Sequence, residues 1–229
     1  MNEEMNNEIT EEVAQAPESS NSKSVGREIF EWAYSIVVAV IITFLIKGFL
    51  FDIVKVDGPS MSPTLIHNDR LIITKLLYEP EAGDIVILDS NYSDREEYYD
   101  MMAESEGKDE LGAFGEFKEY FSLPQSLKKV YYVKRVIATE GQTVDLIDGA
   151  VYVDGKKLQE PYYKGETYPT DSATVYPFTV SEGCVFVMGD NRGNSLDSRA
   201  TALGEVDEDA ILGKSVLRIW PFTSFGATK

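Results

Sequence analysis

The chain has 229 residues of which 43% are hydrophobic, enough to enclose one well-buried core, so a wholly disordered protein is excluded. A formal net charge of -18 without any basic stripe excludes nucleic acid as a partner, because phosphate binding needs a cationic surface that displaces counterions. A single cysteine, Cys184, rules out an intrachain disulfide and a zinc cluster of cysteines, and its apolar neighbours suit a buried structural thiol.

Residues 1–24 are rich in Glu, Asn and Ser without a hydrophobic period, and are expected to form a disordered acidic tail. From Tyr34 to Phe51 run eighteen residues whose one charge is Lys47. As a helix they would be about 27 Å long, close to the hydrocarbon thickness of a bilayer. The expectation is one transmembrane helix over 28–51, with Trp32 and Tyr34 at one boundary and Lys47 snorkelling at the other. Lys23 and Arg27 on one side compete with Lys47 and Lys55 on the other, so charge leaves the orientation open.

Beyond the span, the pattern becomes short and alternating. Leu71–Ile73, Ile85–Leu88, Val130–Val133, Val151–Val153, Cys184–Met188 and Ser215–Ile219 are strand-length runs punctuated by Gly, Pro, Asp and Asn. Asp148-Gly149 and Asp154-Gly155 mark hairpin turns. The region 52–229 therefore reads as a mainly β domain. An acidic insertion over about 90–128, partly helical or disordered, interrupts it; Asp89 to Lys129 holds eleven acidic and five basic residues.

Three segments carry candidate chemistry. In Gly58-Pro59-Ser60-Met61-Ser62-Pro63-Thr64-Leu65, the glycine and prolines force a turn that can expose the Ser60 hydroxyl. No Gly-x-Ser-x-Gly elbow surrounds it, Ser62 being followed by Pro63. The one histidine, His67, stands in a polar loop beside Asn68-Asp69 and reads as an exposed loop residue, which leaves lysine as the candidate base. Strand alternation puts Lys134 on one face with Val130, Tyr132, Val136 and Ala138, and Arg135 on the other. One of the two should face the interior, and lysine can shed its charge there where arginine cannot. An exposed lysine is roughly 0.04% neutral at pH 7, whereas one lowered to about 8 is roughly 10% neutral, at a cost of about 3.3 kcal/mol. The alternative is a lysine guarding a sheet edge. The third segment runs from Gly189 to Arg199. Its Asp190, Asn194 and Asp197 resemble a calcium loop, but Arg192 and Arg199 oppose a cation, so no metal is expected and Asp/Arg pairs are expected to hold the turn.

Taken in order, these segments resemble the type I signal peptidases, serine proteases with a Ser/Lys dyad. The resemblance rests on Gly58-Pro59-Ser60-Met61-Ser62-Pro63-Thr64-Leu65, on Lys134-Arg135-Val136-Ile137 followed by Gly141-Gln142-Thr143-Val144, and on the whole of Gly189 to Arg199. It covers most of the chain after residue 28, outside the insertion.

The resemblance implies a signal-peptidase-like β-sheet or barrel domain tethered by one N-terminal helix, with the tail cytoplasmic and the catalytic domain outside the cytoplasm, as in single-span Gram-positive members. It implies Ser60 as nucleophile, Lys134 as general base and Ser195 as the hydroxyl orienting the amine. Gly58 and Met61 would lie beside the oxyanion and the substrate; some members have a serine at the position of Gly58. Asp190, Asp197, Arg199 and Arg135 would brace the site. The substrates implied are signal-peptide-bearing preproteins cut after small residues of the Ala-x-Ala type, with membrane lipid and the export machinery as further partners and no cofactor.

Two other readings compete. Self-cleaving repressors share the Ser/Lys chemistry but need a DNA-binding domain and no membrane span, while a tethered β-domain could bind exported peptides without cutting them. Ser126-Leu127-Lys128-Lys129 matches the Ser-x-x-Lys of penicillin-binding proteins, but no Lys-Thr-Gly follows it.

Overall fold

A computed structural model describes residues 25–45, 50–75 and 78–228. The expected tail over 1–24 lies outside the described residues. The chain divides into two compact units, residues 1–44 and 45–229. The described part of the first is helix α1 (Val25–Leu45) up to residue 44, which exposes Ile29, Phe30, Trp32, Ile36, Val37, Val40, Ile41 and Ile42. Among the described residues no helix is long and apolar enough to cross a membrane. The span expected over 28–51 also takes in residues 46–49, which are not described, and its last residue, Phe51, opens a strand instead.

The second unit is mainly β, as the short alternating runs require. Its strands are β1 (Phe51–Lys55), β2 (Arg70–Thr74), β3 (Ile85–Asp89), β4 (Tyr131–Thr139), β5 (Thr143–Ile147), β6 (Ala150–Val153), β7 (Lys156–Lys157), β8 (Phe178–Thr179), β9 (Cys184–Met188), β10 (Val206–Asp207), β11 (Ile211–Trp220) and β12 (Gly226–Ala227). The larger sheet has the order β1-β2-β11-β3-β4-β9-β10, with β12 on β11, and the smaller one β7-β6-β5-β8. Neighbours pair antiparallel throughout. The two expected hairpin turns are present. Asp148 and Gly149 have φ of 49° and 76°, and Asp154 and Gly155 of 50° and 72°, the left-handed geometry that matches the twist of the flanking strands.

Three apolar clusters fill the unit. Val86, Leu88, Val136, Val185 and Val187 form one; Ile137, Ala138, Val144, Val151, Phe186 and Met188 a second; Val56, Met61, Leu65, Leu71 and Ile85 a third. Cys184, expected to be buried, is half-buried at the start of β9. Burial pushes its thiol up, with Glu205 adding to the shift.

Strand β4 corrects the alternation argument. Lys134 and Arg135 are both buried, at 3% and 2% exposure, because β4 is central in its sheet and both faces are covered. Val130 precedes the strand, and a register shift between Val136 and Ala138 turns Ala138 off the face shared by Lys134 and Val136. The insertion is helical in large part: α2 (Tyr92–Ser105) and α3 (Gly112–Tyr120).

Candidate active site

Ser60 sits in the loop joining β1 to β2, held at its base by Val56 N donating to Asp69 O at 2.8 Å and Asn68 N to Val56 O at 2.9 Å. Gly58 has a φ of 93°, a backbone that L side chains rarely adopt, which favours glycine there. Met61 and Leu65 plug the loop into the third cluster, each 1% exposed. The Met61 side chain, expected beside a substrate, is an anchor beneath the loop.

The amine facing this loop belongs to β4. Lys134 Nζ is 3.2 Å from Ser60 Oγ and also donates to Val133 O at 3.2 Å. Its ring contact with Tyr132 is 4.9 Å from the centroid. Burial pulls the Lys134 pKa from 10.5 down to about 8, the Asp197 carboxylate opposing the shift. About a tenth of such an amine is neutral at pH 7. His67, by contrast, is exposed, and its Nδ1 lies 3.0 Å from Asp57 Oδ1 and 3.3 Å from the Gly58 amide.

The segment Gly189–Arg199 closes the site from the end of β9. Asn191 N donates to Ser60 O at 2.9 Å, and Asn191 Nδ2 to Pro59 O at 3.1 Å. Asp190 accepts from Arg135 Nε at 2.8 Å and Nη2 at 2.7 Å, and from Thr64 Oγ1 at 2.5 Å. Asp197 takes Arg199 in the same two-pronged way, at 2.9 Å for both nitrogens, and accepts the Gly189 amide at 2.9 Å. Buried charges persist only when so paired and hydrogen-bonded. A Cβ on Gly189 would collide with the Ser195 hydroxyl and stand 2.5 Å from Ser60 O, so the close approach of the Ser60 backbone and the Ser195 side chain depends on that glycine.

Ser195 is thus next to the Ser60 loop, but its buried hydroxyl has no hydrogen-bond partner, Lys134 included. The remaining expected residues, Asp190, Asp197, Arg199 and Arg135, gather around the loop. Sequence reasoning missed Thr64 and Asn191, although both lie inside the motifs that were quoted. It also missed Glu160, which pairs with Arg192, and Tyr162, whose ring lies 3.9 Å from the Arg135 guanidinium. Nothing local marks these two, because their partners are 32 and 27 positions away in sequence. Among the described residues, no group of three or more His, Cys, Asp or Glu could hold a metal ion.

A half-exposed serine hydroxyl against a buried, partly neutral amine is the arrangement of a Ser/Lys hydrolase. The chain belongs to the signal peptidase family, peptidase S26, whose model matches residues 29–220. It is 34% identical over 219 residues to a signal peptidase I of Bacillus licheniformis, covering 92% of this chain and 97% of the relative. It is 34% identical over 230 residues to signal peptidase I T of Bacillus subtilis, covering 96% and 100%, and 31% identical over 216 residues to signal peptidase IB of Staphylococcus aureus, covering 87% and 93%. A crystal structure of a signal peptidase I from Enterococcus faecalis matches 60% of this chain and 97% of its own at 22% identity, with a TM-score of 0.36.

Proposed function

We propose that this chain removes N-terminal signal peptides from exported preproteins, using Ser60 as nucleophile and Lys134 as general base. The observation that carries the reading is Lys134 Nζ, buried at 3.2 Å from Ser60 Oγ with its pKa lowered to about 8. When the amine is neutral, the Ser60 hydroxyl donates to Nζ and gives up its proton as Oγ bonds to the scissile carbonyl carbon. The Ser60 amide faces the oxygen on which negative charge develops. The Lys134 ammonium then protonates the leaving amine, and the bond between the carbonyl carbon and nitrogen breaks. Water, losing its proton to the regenerated amine, cleaves the ester that remains on Ser60.

Ser195 supplies an uncommitted hydroxyl with which to orient the amine during these transfers. Arg135 and Asp190, with Asp197 and Arg199, keep the Ser60 loop within the small tolerance that proton transfer demands. Gly58, lacking a side chain, leaves room beside the loop for the substrate backbone. Cleavage after small residues of the Ala-x-Ala type follows from the family resemblance.

The same reading makes the N-terminal segment a single membrane anchor with the catalytic unit outside the cytoplasm, near lipid and the export machinery. It is supported by the exposed apolar residues that α1 carries from Ile29 to Ile42. The test is cleavage of a preprotein with an Ala-x-Ala junction by the full chain in detergent, comparing wild type with Ser60→Ala. Cutting by wild type alone supports the reading. No cutting by a folded wild type would favour a tethered peptide-binding domain.

A further inference from the structure

The insertion takes no part in the chemistry above, yet it builds a groove of about 870 Å³ between α2, α3 and the start of β11. That volume is in the range of sites that enclose a small ligand or a few side chains. The α2 helix turns Arg95, Tyr99 and Ala103 inward, and Arg95 Nη2 lies 2.8 Å from Asp89 Oδ2. The α3 helix buries none of its residues. It leads into an aromatic stripe at helical spacing, Phe114, Phe117 and Phe121, which are 82%, 63% and 71% exposed, with the last two rings 5.2 Å apart. Large apolar groups presented together in this way mark an interaction surface.

The charge of the groove says what it would accept. With Asp89 and Arg95 paired, the carboxylates of Glu96, Glu116 and Asp209 line it against one cation, Lys129. Glu96 is held above the usual carboxylate range, first by burial and next by the Glu116 charge facing it from the other helix; Arg95, Asp100 and Lys129 make smaller contributions. An added cation would relieve that repulsion, and neighbouring aromatic faces attract cations as well.

We propose that this groove binds a basic segment of a partner polypeptide, seating a lysine or arginine side chain between Glu96 and Glu116 and laying apolar flanks against Phe117 and Phe121. The surplus of acid across Asp89 to Lys129, eleven residues against five, complements a cationic peptide and opposes an anionic lipid surface. The site lies outside the Ser60 loop, so binding and cleavage can be lost separately.

The experiment uses the full chain in non-ionic detergent and a fluorescein-labelled amphipathic peptide of leucine and lysine, read by anisotropy. Its counterpart with glutamate for lysine and vesicles of phosphatidylglycerol serve as competing probes. The expected result is saturable binding of the lysine peptide alone, weakened about tenfold by Glu96→Gln with Glu116→Gln and several-fold by Phe117→Ser. Unchanged preprotein cleavage by the variants shows that they fold. Equal binding of the lysine peptide by wild type and the double variant, equal binding of the glutamate peptide, or binding of vesicles only would overturn the proposal.

Discussion

Around Ser60, the polar groups of two loops are tied across the chain by the buried Arg135/Asp190 pair, by Thr64 and by Asn191, each partner distant in sequence, while the Asp197/Arg199 pair stiffens one loop from within. The insertion is secured differently. Its neck is clamped, with Asn91 Nδ2 donating to Ser126 O and Lys128 O at 2.8 Å each and Asp89 paired with Arg95, while the helices beyond the neck present aromatic side chains to solvent. A reaction that fails when an atom is displaced by an ångström needs the first kind of construction. A surface that receives a partner can do without it, and the contrast separates what the two regions are for.

Substitutions should divide along that line. Ser60→Ala and Lys134→Ala are each expected to reduce kcat/KM for preprotein cleavage on the order of 10⁴-fold with the fold intact, as steady-state kinetics beside circular dichroism would show. Arg135→Ala leaves Asp190 buried without its cation and should destabilise the unit by about 3–5 kcal/mol, seen as a lower denaturant midpoint.

Lys134→Met should act in the opposite direction on stability. Lys134 holds its proton up to about pH 10.5 when unfolded and up to about pH 8 when folded, so stability rises with pH between the two values. Below pH 8 the full penalty, about 3 kcal/mol, is present. The variant should therefore be more stable by up to about 3 kcal/mol at pH 7, with the gain fading as pH climbs from 8 to 10.5. Cleavage would be lost in the same variant. The smallest effect is expected in the insertion, where Glu96→Gln should change stability by less than about 0.5 kcal/mol and leave cleavage unaltered.

The sequence allowed much of this to be read, for identifiable reasons. Hairpin turns at Asp148-Gly149 and Asp154-Gly155 are local events, written in residues that tolerate positive φ, and they were legible. The gathering of Ser60, Lys134 and Asp190 was legible through three motifs in fixed order. The burial of Arg135 beside Lys134 was not, because alternation assumes one dry face, and β4 has two. The burial of Met61 was not legible, because a residue next to a serine in a motif can point either way, and only the packing of Val56, Leu65 and Leu71 around it decides. Ala138 was misplaced by the bulge, which shifts side-chain parity without a mark in composition. Glu160 and Tyr162 reach the site arginines through folding of the smaller sheet's connections, which no local pattern encodes.

The central claim is that a buried, partly neutral Lys134 is the base, and the pH dependence of kcat/KM for preprotein cleavage tests it most directly. The rate should rise about tenfold per pH unit and level off above an apparent pKa near 8, unchanged by His67→Ala. A rise abolished by His67→Ala, or a flat profile, would contradict it.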